Sequence, residues 1–331
     1  PGQRQPRQPL GENYYDLSDP AIVAWQAELA EAYGLYGFNF YHYWFDGRLI
    51  LEQPVEHFRR NQQHNLKYCL TWANENWTRQ WIGSSEVLLR QAHLADRDIW
   101  RRHFDYLLPY FNDSRYLRMD GKPVFCLYRP ELNPALADYV SFFNEQAVAN
   151  GLSGVFFIGM QSYSLPRSDE IYGCLDGRLR FQPRYLFNTA LSQRRGLVRR
   201  FESVLRALPE QLQLPLITLW QRFAGSAAYD YELFNQCLIA LAREDDADTL
   251  QSLIVDWDNT ARYGERARFF QGSTPERFGY WLEQLTEVER QKGREYIFIN
   301  AWNEWSECAY LEPDTEYGYQ YLEQIRRLST R

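Results

Sequence analysis

Two glutamates near the C-terminal end of the sequence have the spacing of an acid–base pair. Glu304 and Glu307 lie three residues apart, directly after the apolar run 296–301. Carboxylates that share a pocket repel each other, and apolar walls disfavour their charge, so the pKa of one rises towards the range of a general acid. Glycosidic cleavage needs such a pair, one group to protonate the leaving oxygen and one to generate or assist the nucleophile. By spacing alone, a second explanation is equally good. Glutamates are favoured at helix N-termini, where their negative charge interacts with the helix dipole.

Tryptophans cluster where apolar runs end. Seven of the eleven lie in or just after such ends, namely Trp44, Trp72, Trp77, Trp81, Trp257, Trp302 and Trp305. Tryptophans that only fill a core would also occupy strand middles and helix faces. Carboxylates interleaved with aromatic rings at one rim therefore predict a sugar-binding cleft, with aromatic packing under loops as the alternative.

The candidate substrate-binding residues are the polar and aromatic side chains around these ends. They are Tyr41, His42, Tyr43, Trp44, Trp72, Asn74, Glu75, Trp77, Trp257, Asp258, Asn259, Asn303, Trp305, Tyr310 and Glu312. We expect His42 to bind a sugar hydroxyl rather than to form its hydrogen bonds within the protein at the strand end. We also expect Glu75 to bind a sugar hydroxyl. The sequence Asp256-Trp257-Asp258 fits the Asp-x-Asp pattern of many glycosyltransferases, but this short pattern is weak evidence.

Seven apolar runs, separated by amphipathic stretches, must position these residues. The runs are 37–43, 67–72, 124–128, 155–160, 178–182, 252–255 and 296–301. Their near-continuous hydrophobicity predicts parallel strands covered on both faces. Asp19 before Pro20, and Thr274 before Pro275, are helix start signals. Alternating βα units of this number predict an α/β fold of the (β/α)8 barrel type, with a doubly wound open sheet as the alternative.

The composition is that of a globular protein, and the length permits one large domain or two ordinary ones. We predict a single domain over 1–331, with a helical elaboration around 194–248, because no repeat or linker divides the chain. The net charge of −7 argues against a nucleic-acid partner. No apolar run approaches the ~20 residues of a membrane span, so we expect no membrane insertion. The first residues lack the apolar segment of a signal peptide, which favours the cytoplasm, but the chain starts at Pro1 rather than Met.

Together these motifs resemble a known family. The segment Asn303-Glu304-Trp305-Ser306-Glu307-Cys308 resembles the Asn-Glu-Trp-His-Glu-Gly signature of glycoside hydrolase family 99, the endo-α-mannosidases, and Leu311-Glu312-Pro313 resembles the Ile-Glu-Pro that follows it. The resemblance is closer still to the WbsX-type relatives of that family, found in bacterial polysaccharide loci and described as glycosyltransferases. Further matches, in order along the chain, are Tyr-His-Tyr-Trp-Phe at 41–45, Trp-Ala-Asn-Glu-Asn-Trp-Thr at 72–78, Gly-Lys-Pro-Val at 121–124 and Trp-Asp-Asn-Thr at 257–260.

The resemblance implies a (β/α)8 barrel that cleaves an α-linked oligosaccharide or polysaccharide with retention, without a metal or other cofactor. By matching positions, Glu304 is the base and Glu307 the general acid/base, acting through a 1,2-anhydro sugar. Ser306 and Cys308 depart from the His and Gly of the hydrolases. The first strand of the family, normally ahead of a pair like Gln8-Pro9, is missing or atypical here, so we predict seven strands.

Three functions follow from these observations. The first is a retaining endo-glycoside hydrolase that acts on an α-linked polysaccharide. The second is a WbsX-type glycosyltransferase in the biosynthesis of a bacterial surface polysaccharide. The third is a glycan-binding module without catalysis, which retention of both Glu304 and Glu307 disfavours. The sequence shows no glycine-rich phosphate cradle and no basic cluster at a strand end, and this absence favours cleavage over transfer.

Overall fold

A computed structural model describes residues 7–78, 86–165, 168–191, 227–264 and 267–329. The strands are β1 (Gly37–Phe45), β2 (Arg48–Ile50), β3 (Lys67–Trp72), β4 (Trp77–Thr78), β5 (Val87–Leu89), β6 (Arg118–Met119), β7 (Lys122–Leu127), β8 (Phe156–Gln161), β9 (Gly177–Arg180), β10 (Ala227–Asp230), β11 (Thr249–Ile254), β12 (Arg268–Gln271), β13 (Ile297–Asn300), β14 (Asn303–Glu304) and β15 (Ala309–Tyr310). The helices are α1 (Pro20–Ala32), α2 (Gln53–Arg60), α3 (Arg97–Phe111), α4 (Leu136–Ala149), α5 (Ser168–Tyr172), α6 (Arg184–Asn188), α7 (Tyr231–Glu244), α8 (Thr260–Tyr263), α9 (Pro275–Gln291) and α10 (Gln320–Ser329).

The main sheet contains all seven predicted strands. They lie in the spatial order β13-β11-β9-β8-β7-β3-β1, and each neighbouring pair is parallel. This order follows the chain without a reversal, whereas a doubly wound sheet changes direction at a switch point. The (β/α)8-type fold is therefore confirmed, and the predicted strand ends are correct to within a few residues.

The sheet remains open between its first and last strands. Among the described residues, β13 pairs with β11 but not with β1, and the short antiparallel β2 covers only the end of β1 from Tyr43 onwards. Aromatic rings meet across the opening: Phe38 contacts Trp302 at 5.1 Å between centroids, and Tyr36 contacts Tyr296 at 5.7 Å. We call this opening the seam. It lies where the eighth strand of a closed barrel would pair. Within the described ranges, the main sheet contains seven parallel strands, as expected.

The predicted helix starts are correct. The Asp19 side chain accepts a hydrogen bond from Ala21 N at the start of α1, and Thr274 accepts one from Arg277 N at the start of α9. The helices bury apolar side chains against the outer face of the sheet. Two buried clusters result, one mainly on β1 to β9 and one on β11, α7, α9 and α10.

The region predicted as a helical elaboration, 194–248, falls largely outside the described residues, which resume at 227. Its described part contains α7 and also the strand β10, which pairs with β12 and was not predicted. The division of the chain into a single domain stays a prediction. None of the helices in the described ranges is both long and apolar enough to cross a membrane.

Candidate active site

A cavity of about 1370 Å³ opens at the C-terminal ends of the sheet strands and continues down the seam. We call its upper part, at the strand ends, the cleft. Parallel strands bring the residues that follow them to one rim, which is where barrel enzymes place their active sites. Eight of the predicted site residues line the cavity: Tyr41, Tyr43, Glu75, Trp77, Trp257, Asn303, Glu304 and Glu307.

A short hairpin presents the two central glutamates. Strands β14 and β15 pair antiparallel, and a single 3-10 turn, Trp305–Glu307, joins them. The turn ends at Cys308, whose φ of 54° lies in the left-handed region that favours glycine. The hydrolases of the resembled family carry Gly here, so this departure keeps the backbone shape at the cost of some strain.

The two glutamates differ in environment. The side chain of Glu307 is 9% exposed, whereas that of Glu304 is 38% exposed. Burial, with a smaller contribution from the charge of Glu304, raises the pKa of Glu307 to about 7, although Arg262 and Arg184 act in the opposite direction. Glu307 is therefore largely protonated below neutral pH, as a general acid must be.

Arg262, at the helix α8, ties the pair together. Its guanidinium lies 3.3 Å from Glu304 Oε1 and 3.9 Å from Glu307 Oε1. Its Nε also donates to Ser306 Oγ at 2.8 Å, and Ser306 in turn donates to Glu304 Oε1. Ser306, which replaces the histidine of the hydrolases, thus bonds directly to the proposed base.

A third carboxylate supports the turn from behind. Glu312 is 3% exposed and accepts hydrogen bonds from Tyr15 Oη at 2.6 Å, Gln26 Nε2 at 2.7 Å and Trp305 Nε1 at 2.7 Å. The ring of Trp305 stacks on Tyr310 at 3.9 Å between centroids, and Tyr310 Oη donates to Asp314. Trp305, Tyr310 and Glu312 therefore hold the turn. None of the three is among the residues that line the cavity, and their contact with sugar stays a prediction.

Aromatic rings form one wall of the cleft. Tyr41 lies 6.3 Å from Tyr43 and 5.9 Å from Tyr128 between ring centroids, and Tyr43 lies 5.2 Å from Trp77. Tyr41 is 41% exposed, so its ring is open to a ligand. The buried indole N–H of Trp257, also on the cavity wall, has no acceptor within the described ranges. Such surfaces suit the apolar faces and hydroxyl groups of sugars.

Three predicted residues lie on the opposite side of the sheet, among the helices. His42 Nε2 lies 2.9 Å from His103 Nε2, Trp44 stacks on the His103 ring at 4.6 Å, and Trp72 contacts it at 4.9 Å. Burial lowers the pKa of His42 to about 3, so its imidazole is neutral. Successive side chains alternate across a strand, so Tyr41 and Tyr43 face the cleft while His42 and Trp44 face α3. His42, Trp44 and Trp72 are not among the residues that line the cavity, and their expected sugar contacts stay predictions.

Three further polar residues hold loops instead of lining the cleft. Asn74, 1% exposed, exchanges hydrogen bonds with the backbone of Arg129. Asp258 accepts from Thr260 N at 2.9 Å, and Asn259 accepts from Arg268 N at 2.7 Å. The Asn74 bonds connect the ends of the neighbouring strands β3 and β7, the Asp258 bond lies within the loop after β11, and the Asn259 bond joins that loop to β12. The three residues are not among those that line the cavity, and substrate binding by them stays a prediction.

Several lining residues escaped the sequence analysis. Tyr128 and Arg184 follow strands β7 and β9, Arg262 follows β11, and all three line the cavity. Arg129, next to Tyr128, pairs with Glu75 at 3.3 Å. The sequence analysis considered only a basic cluster at a single strand end and so did not identify these arginines, which follow three different strands. Only their position in the sequence could have identified these arginines, because each follows a predicted or observed strand end.

Comparison with known proteins shows the family of the chain. A family model described as "Glycosyltransferase WbsX" matches residues 1–325. The chain belongs to the WbsX family. Proteins called "Uncharacterized protein WxcX" from two strains of Xanthomonas campestris pv. campestris are 30% identical over the whole chain, which spans 44% of the length of each.

Solved structures similar to this WbsX-family chain are glycoside hydrolases or resemble them. The endo-alpha-mannosidase of glycoside hydrolase family 99 from Bacteroides thetaiotaomicron matches with a TM-score of 0.56 and 16% identity, over 98% of this chain and 84% of that one. A "Glycoside hydrolase-like protein" matches with a TM-score of 0.59 and 12% identity, over 98% and 89%. At these identities the likeness shows the fold alone.

Proposed function

We propose that this chain is a retaining endo-glycoside hydrolase that cleaves an α-linked polysaccharide through a 1,2-anhydro sugar. The observation that carries the proposal is the contrast within the glutamate pair. Glu307 is buried with a pKa of about 7, whereas Glu304 is partly exposed and accepts hydrogen bonds from Ser306 and Arg262. Two carboxyl groups in different environments on one turn suit one acid and one base.

In the first step, Glu304 takes the proton of the sugar 2-hydroxyl as that oxygen attacks the anomeric carbon. Glu307 gives its proton to the departing glycosidic oxygen, so the bond to that oxygen breaks as the 1,2-anhydro ring closes. In the second step, Glu307 takes a proton from water, the water oxygen attacks the anomeric carbon, and Glu304 returns its proton to the 2-oxygen. Two inversions give net retention, and both glutamates recover their starting states.

The WbsX family name favours a second candidate, a glycosyltransferase that builds a surface polysaccharide. The Asp-x-Asp carboxylates do not support it. Asp256 pairs with Arg7 at 2.7 Å, and Asp258 accepts from Thr260, so both contact their own chain. Within the described residues, no group of three potential ligands could hold a metal ion there.

Incubation with a panel of α-linked polysaccharides and, separately, with nucleotide-sugars tests the proposal. We expect new reducing ends and oligosaccharides from a polysaccharide, and loss of this release in Glu304→Gln and Glu307→Gln. An exposed substitution such as Arg97→Gln serves as the matched control, since Arg97 lies at the surface, where it pairs with Glu145 and lies over the Phe142 ring. Release of a free nucleotide from a nucleotide-sugar, with growth of an acceptor glycan, would establish the transferase instead.

A further inference from the structure

Arg184 has an unusual position among the charged residues of the cleft. It begins α6, directly after the C-terminal end of β9, and its half-buried side chain lines the cavity. Its guanidinium carbon lies 5.9 Å from the centroid of the Tyr128 ring. The negative potential of Tyr128, followed by that of Glu307, raises the pKa of Arg184, so the group is always charged.

The guanidinium of Arg184 has no hydrogen-bond acceptor among the described residues. Within the described ranges, Arg184 makes no ion pair and donates no hydrogen bond, although a guanidinium carries five N–H donors. A partly buried charge without hydrogen bonds is costly, and native proteins satisfy such groups with a partner or a ligand. The structure therefore leaves a fixed cation with free donors on the wall of the cleft.

The other charges of the cleft are already matched. Glu75 pairs with Arg129, which also pairs with Glu131, and Glu304 pairs with Arg262. The remaining carboxyl, Glu307, lies 3.9 Å from Arg262 and is the least exposed of the cleft carboxyl groups. Among the described residues, no carboxylate of the cleft is thus left over as a close partner for Arg184, and its donors are available to an anionic group of a ligand.

We propose that Arg184 binds a carboxylate of the substrate, so that the glycan accepted by this cleft is an acidic one. This inference rests on the proposed function and adds the class of its substrate. A guanidinium binds a carboxylate through two parallel N–H···O bonds, and the Tyr128 ring beside it restricts the plane of the fork. A phosphate would offer the same acceptor chemistry. A single unpaired guanidinium matches the single charge of a carboxylate better than a diphosphate, because Arg129 and Arg262 are already engaged.

Binding measured without turnover tests this proposal. The full chain carrying Glu307→Gln is titrated with α-linked polysaccharides that are neutral, bear uronic-acid carboxylates, or bear phosphates, and with nucleotide-sugars. Each carboxylate-bearing polysaccharide is also chemically reduced, which turns its carboxylates into hydroxymethyl groups and leaves the backbone unchanged. We expect carboxylate-bearing members to bind, and their reduced forms to bind about 10- to 100-fold more weakly.

Substitutions at position 184 assign the effect. Arg184→Gln should remove the preference for the unreduced polysaccharide, Arg184→Lys should keep part of it, and Arg97→Gln should keep all of it. The preference should also weaken as salt is added. Equal binding of unreduced and reduced forms, an unchanged preference in Arg184→Gln, or no binding of any acidic member would overturn the proposal. Preference for phosphate-bearing members would overturn the assignment of a carboxylate.

A parallel assay with the unsubstituted chain separates this inference from the proposed function. Binding of an acidic glycan through Arg184 without any cleavage would contradict the hydrolase and retain the inference. Cleavage of neutral polysaccharides alone would support the hydrolase and overturn the role of Arg184.

Discussion

At the scale of single residues, the site depends on the difference between Glu307 and Glu304. They stand on the same turn, yet one is buried against the cleft wall and the other is partly exposed. The pair was predictable from sequence because of its spacing. Glu75 was predictable because it follows the end of a strand. Arg184 and Arg262 were not predictable in the same way, because a single arginine after a strand has no distinguishing neighbours in sequence.

Glu307→Gln should keep the shape of the site and remove the proton that the leaving oxygen needs. Turnover of natural polysaccharide should fall by about 10²–10⁴, the usual range for general acid catalysis. Synthetic glycosides with very acidic leaving groups should lose much less, because they depart without a proton. Rates on both kinds of substrate would be compared, and an equal loss on both would contradict the role of Glu307.

The pH profile should report the same carboxyl group. Glu307 must be protonated to donate, so activity should fall as the pH rises through its pKa of about 7. Arg262 lowers this pKa, so Arg262→Gln should move the alkaline limb of kcat/KM to higher pH while reducing the maximum rate. A limb that stays in place, or moves to lower pH, would mean that another group limits the reaction.

Glu304 distinguishes a 1,2-anhydro route from an ordinary covalent one. A substrate without the 2-hydroxyl should bind but resist cleavage, because the sugar then lacks its internal nucleophile. Mass spectrometry of enzyme stopped in mid-reaction should show Glu304 unmodified. Normal cleavage of the 2-deoxy substrate, or a sugar ester on Glu304, would refute this route and leave the hydrolase assignment intact.

At the scale of elements, the presence of each strand was easier to predict than which of its faces lines the cleft. The seven strands were recognisable as apolar runs, because parallel strands are covered on both faces. The same property hid which face of a strand lines the cleft. His42 and Trp44 alternate with Tyr41 and Tyr43 in one run, and only the folded sheet shows which side faces the cleft. The pairing of β10 with β12 was hidden for a different reason, since both are short and their contact is formed only in the folded chain.

A buried ion pair connects elements at the N-terminal ends of the sheet strands. Arg294 lies 3.0 Å from Glu289 and donates to the carbonyls of Ala242, Asp246 and Thr249, connecting α9, α7 and β11. Arg294→Met should lower the free energy of unfolding by about 3–5 kcal/mol, because it leaves a buried carboxyl without a partner.

Burial raises the pKa of Glu289 to about 7. A carboxyl with a raised folded-state pKa favours folding at low pH, and that contribution is lost as the pH rises through this value. The loss in Arg294→Met should therefore be larger at pH 8 than at pH 6 in urea titrations. Arg290→Met, which removes an exposed pair with Glu287, is the matched control and should unfold like the parent. Equal stability of both variants would contradict this account.

At the scale of the whole molecule, the strand edges of β1 and β13 that face the seam can be tested by experiment. Lys67 N and Ala73 N of the β3 side donate to the carbonyls of Tyr36 and His42, so the even-numbered backbone groups of β1 face β3. The odd-numbered groups therefore face the seam. On β13, Asn300 O accepts from Val255 N, which directs Ile297 and Ile299 to the seam.

Hydrogen exchange should follow this alternation. The amides of Asn39, Tyr41 and Ile299 should exchange faster than those of Phe40 and Phe298, because only the latter face a paired strand. Residue-resolved exchange of the chain would measure the difference. Equal protection on both sides of β1 would show that another segment pairs at the seam.

The contacts of Glu312 have a consequence for the time course of folding. This carboxylate fixes the glutamate turn through Tyr15 and Gln26, which are 297 and 286 residues away along the chain. Helices form from local contacts within microseconds, whereas contacts between distant segments wait for the chain to close a long loop. We therefore expect the turn to order late, after both ends of this long segment have met, so that a refolding molecule regains its helices before it regains its chemistry.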